Sequence, residues 1–205
     1  MTTLEELSLR TPVCEFLYQS HDVIEAAIGD QVLIQAIGVS ARIIAESLRE
    51  GGQILIAGNG GSAAQAQHFA AELVGRFARD RAPLPAIALG ADVASLTAIA
   101  NDYGFAHVFE RQLIALVRPC TVLVAISTSG KSKNVLRAVE AAQRLGRIPI
   151  IAMTGRPGGP LADACSLTIV APSAKTPLVQ QLHLVAAHAI CGLVEAILFG
   201  PEVPK

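Results

Sequence analysis

From Gln53 onward, short apolar runs alternate with stretches of helical periodicity, and that alternation restricts the chain to a parallel sheet wrapped by helices. Apolar runs at 53–57, 85–89, 121–127, 149–154 and 167–171 predict five strands. Helical patterns at 62–79, 105–117 and 133–145 lie between them, with an irregular piece around 158–164. Two further amphipathic helices, 4–20 and 30–50, precede the first strand, the second closed by Gly51-Gly52. Pro177 can open a last helix at its first turn, and the apolar pattern then continues to Gly200-Pro201. The expected architecture is α/β, a flavodoxin-like three-layer sandwich with extra N-terminal helices. It is read as one domain over 1–205, with helices in 1–52 for oligomer packing and the sheet core and terminal helix in 53–205.

Composition asks where the apolar surface goes. Of 205 residues, 52% are apolar and 16% charged, below the roughly 25% charged share of ordinary soluble domains. Disorder and a disulfide scaffold are excluded, and the choice lies between oligomer and membrane. The most apolar window, 182–199, holds His183, His188 and Glu195, which are expensive in hydrocarbon, so a buried helix is expected and no membrane partner. Net charge is −1 with no long run of one sign, which argues against a nucleic-acid partner. Residues 1–10 lack a cationic segment followed by an apolar one, so no secretory leader is expected and the compartment is read as cytoplasmic. Cys14, Cys120, Cys165 and Cys191 have no C-x-x-C spacing and read as reduced, mostly buried thiols.

Two strand-to-helix loops suit an anion. The first strand ends in Gly58-Asn59-Gly60-Gly61-Ser62, whose glycines let a ligand approach backbone N–H groups at a helix start. The third ends in Ser127-Thr128-Ser129-Gly130-Lys131-Ser132, rich in hydroxyls. Neither fits a nucleotide-binding fingerprint, and either alone reads as an ordinary turn. With strand order 2-1-3-4-5, both would border one switch-point crevice, where a small anionic ligand belongs. Asn101-Asp102-Tyr103-Gly104 could reach the same crevice or be a capped turn.

His68 and Glu72 stand four apart on one helix face, a spacing that suits metal ligation, a base held by its neighbour, or a plain surface pair. On the terminal helix, Gln180, Gln181, His188 and Glu195 fall within one stripe of ~100°, with His183 pointing away from His188. Polar groups in so apolar a helix need partners, and a satisfied core histidine is an open reading for both His183 and His188.

These motifs, taken in order, resemble the phosphoheptose isomerase family of SIS (sugar isomerase) domains. The likeness is carried by Gly58-Asn59-Gly60-Gly61-Ser62, Gln67-His68-Phe69-Ala70-Ala71-Glu72-Leu73, Ala100-Asn101-Asp102-Tyr103, Ile126-Ser127-Thr128-Ser129-Gly130 and Gln180…His183…His188, across nearly the whole chain. The resemblance implies a cytoplasmic ketose–aldose isomerase that converts sedoheptulose 7-phosphate to D-glycero-D-manno-heptose 7-phosphate for bacterial lipopolysaccharide and related glycans. It implies a homotetramer with active sites between subunits and one Zn2+ per subunit. Its zinc ligands fall on His68, Glu72, Gln180 and His188, its base on Glu72 and its acid on His188. Its substrate contacts fall on Asn59, Gly60, Gly61, Asn101, Asp102, Ser127, Thr128, Ser129, Ser132 and Gln180, with Ser62 and Glu72 beside them. The chain departs from the family's usual Arg-Ile-Gln-Glu with Leu178-Val179-Gln180-Gln181, which removes an arginine and a carboxylate there.

Three other readings share these motifs. Relatives that bind the replication initiator DnaA share the stretches at 67–71 and 96–102, but replace the base and acid that Glu72 and His188 supply here. A phosphosugar-sensing regulator would carry an appended DNA-binding domain, and an isomerase of another phosphosugar would keep the same site.

Overall fold

The computed structural model describes residues 10–146 and 148–200, and the expectations for 1–9 and 201–205 lie outside the described residues. Helices α1 (Arg10–Gly29) and α2 (Gln31–Arg49) lead into β1 (Gln53–Ala57) and α3 (Gly61–Val74). Then come β2 (Ala86–Ala88), α4 (Val93–Tyr103), a 3-10 turn at Phe105–His107, α5 (Val108–Leu116) and β3 (Thr121–Ile126). The chain continues through α6 (Lys133–Leu145), β4 (Ile150–Gly155), α7 (Gly159–Ala164), β5 (Leu167–Ala171) and α8 (Thr176–Phe199).

All strand pairs are parallel, in the order β2-β1-β3-β4-β5. Ile54 therefore lies between Ala86 on one side and Val122 on the other. The chain leaves β1 toward β2 and leaves β3 toward β4, so the switch point lies between β1 and β3, and the loops after both strands border it. This is the strand order that the two-loop argument requires.

Strands β1 and β3 are buried along their whole length, as continuous apolar runs in a parallel sheet must be. Alternate side chains serve opposite layers. Ile54, Ile56, Val122, Val124, Ile151 and Met153 pack toward α2, α3 and α8, while Leu55, Ala57, Leu123, Ala125 and Ala152 pack toward α5 and α6. Full burial of each large aliphatic chain contributes about 1.5–3 kcal/mol. Gln53, polar but buried at the start of β1, is satisfied by the Leu116 carbonyl at 2.6 Å and the Thr121 hydroxyl at 3.3 Å.

Several boundaries differ from expectation for physical reasons. Helix α1 runs past Ser20 to Gly29, because the Ser20 hydroxyl bonds back to the Phe16 carbonyl inside the helix and supplies no stop. Asp30 caps α2 instead, accepting from the Leu33 amide at 3.0 Å. Helix α3 ends at Val74 rather than 79, since Gly75 closes it and the following residues turn to bind a buried carboxylate on α8. The pattern at 105–117 divides into the 3-10 turn and α5, and the irregular piece becomes the short α7. All four cysteines are free thiols, although only Cys191 is fully buried and the other three are half-buried.

Helix α8 is long and apolar enough to cross a bilayer, yet it packs on α2, α3, α1 and the sheet and buries His183 and Glu195. Helix α1 and the start of α2 instead expose Val13, Leu17, Tyr18, Ile28 and Val32, with Tyr18 70% exposed.

Candidate functional site

The site begins at the glycine loop after β1. Gly60 has φ +54° and ψ −121°, a conformation closed to residues with a Cβ. A Cβ on Gly61 would stand 2.3 Å from Nε2 of Gln180, so the amide of that α8 side chain lies directly against the start of α3. Ser62 is buried in the first turn of α3.

The serine loop after β3 is organised by its own hydroxyls. Ser127, buried, shares a hydrogen bond with Ser132 at 2.9 Å, and the Lys131 amide donates to the Ser129 hydroxyl at 3.2 Å. The Ser132 side chain bonds Ser127 and does not cap α6, and within the first turn the Val135 amide donates to Oδ1 of Asn134 at 3.0 Å. The Thr128 carbonyl accepts from the Gly155 amide at 3.0 Å, which anchors the loop to β4.

A reciprocal amide pair joins the two loops. Asn59 Nδ2 donates to Asn134 Oδ1 at 2.8 Å, and Asn134 Nδ2 donates to Asn59 Oδ1 at 2.9 Å. Sequence reasoning had no role for Asn134. Its only signal was a buried amide in the first turn of α6, a position where asparagine is unremarkable on solvent.

The second half of the site lies on α3 and α8. Nε2 of His68 is 2.8 Å from Nε2 of His188 and 3.3 Å from Oε1 of Glu72. Ligand atoms of these three side chains all lie within 4.8 Å of one another. Two imidazole nitrogens this close are either donor and acceptor to each other or share a cation between their lone pairs. With a carboxylate oxygen beside them, the donor set of two nitrogens and one oxygen fits Zn2+. Gln180 lies two turns earlier on α8, its amide against Gly61. Its backbone carbonyl accepts from Nε2 of Gln65, a second tie between α3 and α8 that the sequence did not reveal.

The other polar residues of α8 have structural partners. His183 is 1% exposed with Nε2 at 3.1 Å from the Thr154 carbonyl. Burial lowers its pKa to about 4 against that hydrogen bond, so it is neutral at pH 7. Burial and the bond to Thr154 make His183 a core histidine, outside the group of His68, Glu72 and His188, with its Nδ1 buried and without a hydrogen-bond partner. Glu195 shares the helix face of His188 but has partners of its own. It pairs with Arg81 at 2.9 Å and accepts from the amides of Phe77, Ala78 and Arg79 at 3.0, 3.1 and 3.2 Å. Burial pushes its carboxyl up, but these donors outweigh burial and hold it below the usual carboxylate range. Leu178 is buried and Gln181 exposed.

Asn101 and Asp102 close α4, exposed and bonded to each other at 2.8 Å. No recorded hydrogen bond joins them to either loop among the described residues.

The arrangement combines loops able to hold an oxyanion with an imidazole–carboxylate group able to move protons beside a cation. Comparison with known proteins gives the family. The model of the SIS domain family matches residues 15–155. The phosphoheptose isomerase of Rhodospirillum rubrum is 53% identical over 163 residues, covering 80% of this chain and 86% of its own. That of Burkholderia pseudomallei (strain K96243) is 44% identical over 192 residues, covering 94% and 97%. The structure of the phosphoheptose isomerase GmhA from Neisseria gonorrhoeae superposes with a TM-score of 0.86 at 40% identity, covering 92% of this chain and all of that one.

Proposed function

Because the chain belongs to the phosphoheptose isomerase family of SIS domains, we propose that it converts sedoheptulose 7-phosphate to D-glycero-D-manno-heptose 7-phosphate, for bacterial heptose and lipopolysaccharide synthesis. The observation that carries this reading is the convergence of His68, Glu72 and His188 from two helices, beside loops tied together by Asn59 and Asn134.

The chemistry follows from those groups. The glycine and serine loops present backbone amides and the hydroxyls of Ser127, Thr128, Ser129 and Ser132 to the phosphate and the sugar. Glu72 takes the proton from C1 of the ketose, the C2 carbonyl oxygen gains one, and a cis-enediol forms. His188 then delivers a proton to C2 while the C1 hydroxyl loses its own, giving the aldose with no net change in hydrogens. Zn2+, held by His68, Glu72 and His188 with Gln180 as the fourth candidate, would supply positive charge to the enediol oxygens. A carboxylate held by zinc would be a weaker base than a free one, so the roles of ligand and base would compete at Glu72.

Asn101 and Asp102 are assigned to substrate binding, and one Zn2+ per subunit is expected. A homotetramer with sites completed between subunits, in the cytoplasm, is part of this proposal, and the exposed apolar face of α1, with Val13, Leu17 and Tyr18, supports association of some kind. Presence of both Glu72 and His188 disfavours a DnaA-binding role without catalysis.

The testing experiment is incubation of purified protein with sedoheptulose 7-phosphate and detection of the aldose. Conversion supports the reading. Turnover of a different phosphosugar alone assigns the site to another isomerase, and no turnover with DnaA capture supports the interaction role.

A further inference from the structure

The buried pair Arg81–Glu195 and the ring of Phe77 form a chain of contacts that ends on both residues assigned to proton transfer. Glu195 accepts the Phe77 amide at 3.0 Å. The Phe77 ring in turn lies 5.5 Å, centroid to centroid, from His188, tilted by 35°. The ring also lies along α8 at Gly192, one turn beyond His188, where a Cβ would stand 3.4 Å from Cε1 of Phe77. On the other side Arg81 donates to the Glu72 carbonyl at 2.8 Å and to the Leu73 carbonyl at 2.7 Å. One ion pair, with both side chains 3% exposed or less, therefore grips the end of α3 at Glu72 and the segment that holds a ring on His188.

A carboxylate with four donors is over-provided for simple chain closure. Gly75 has already ended α3, and Leu84 returns to α3 through its own amide at 3.0 Å to the Leu73 carbonyl. What the pair adds is a fixed place for the Phe77 backbone and hence for its ring. Imidazoles that hold metals or protons gain from contacts that fix ring orientation, and loss of such support costs about 10- to 100-fold in affinity or activity.

We propose that Phe77, set by Glu195 and Arg81, is a positioning residue that fixes the His188 imidazole relative to His68 and Glu72. The proposal rests on the isomerase reading of the site and adds a group that touches neither substrate nor metal.

The test compares wild type, Phe77→Leu and Phe77→Tyr, the last keeping the ring. Two readouts are taken: Co2+ affinity from visible absorption, and kcat and KM with sedoheptulose 7-phosphate. Phe77→Leu is expected to weaken Co2+ binding about tenfold and lower kcat about tenfold at nearly constant KM, with Phe77→Tyr restoring both. Glu195→Gln should reproduce the Phe77→Leu effect, and the double variant should be no worse than the more impaired single one. Wild-type affinity and kcat in Phe77→Leu would overturn the proposal, as would equal loss in Phe77→Tyr. If wild type itself does not turn over, the isomerase reading fails, while the Co2+ comparison still decides whether Phe77 orders His188.

Discussion

The Nε2 atoms of His68 and His188 face each other across 2.8 Å, although 120 residues separate them. They stand on α3 and α8, which also meet where the Gln180 amide lies against Gly61. The two imidazoles are presented to one point with Glu72 beside them.

That geometry predicts a divalent ion. Metal analysis of purified protein should find Zn2+ at about one per subunit, and His68→Ala should lose it, because removing one of three clustered donors leaves too few to hold the ion. Full occupancy in His68→Ala would move the site elsewhere.

Glu72→Gln should fold and keep the wild-type oligomeric state while isomerisation falls by about 100- to 10,000-fold, the usual contribution of a positioned base. Circular dichroism and light scattering check the first half, and turnover checks the second. Retained activity would remove Glu72 from the role.

Asn134→Ala leaves the Asn59 amide without its partner and loosens the joint between the two loops. The expected effect is a rise in KM larger than the fall in kcat, since the loops bind the phosphate and the helices move the protons. A pure loss of kcat would contradict this division of labour.

His183 makes stability depend on pH. Its pKa is about 4 in the fold, against 6.5 as its ordinary value. Above pH 6.5 both folded and unfolded forms are neutral and it contributes nothing to pH dependence. As pH falls from 6.5 to 4 the unfolded chain binds a proton that the folded one refuses, and stability drops by up to about 3 kcal/mol. Denaturant unfolding at pH 7 and pH 4 should therefore show a smaller loss in His183→Gln, which bonds Thr154 without titrating. Equal losses would mean that His183 is not buried neutral.

Much of the fold was legible because each signal was local. Strands 53–57 and 167–171 matched to the residue, the first fully buried and the second half-buried at the sheet edge, because each is a short β-prone run with sharp ends. The strand order bore out the argument that both loops share one crevice. What the sequence hid were tertiary partners. The periodic stripe on α8 grouped Glu195 with His188, but periodicity reports only the face of a helix, and Arg81 with three amides takes Glu195 into the fold. Asn134, Gln65 and Phe77 escaped notice because their roles depend on residues 75, 115 and 118 positions distant. The end of α3 was misplaced for the same reason, because a distant carboxylate claims the amides that follow Gly75.

Proton transfer through an enediol by Glu72 and His188 is tested most directly by isotope incorporation. Sedoheptulose 7-phosphate is incubated with the protein in heavy water and the product examined by NMR. The expected product is D-glycero-D-manno-heptose 7-phosphate carrying deuterium at C2, formed by wild type and not by Glu72→Gln. An aldose without deuterium at C2, or no aldose at all, would contradict it.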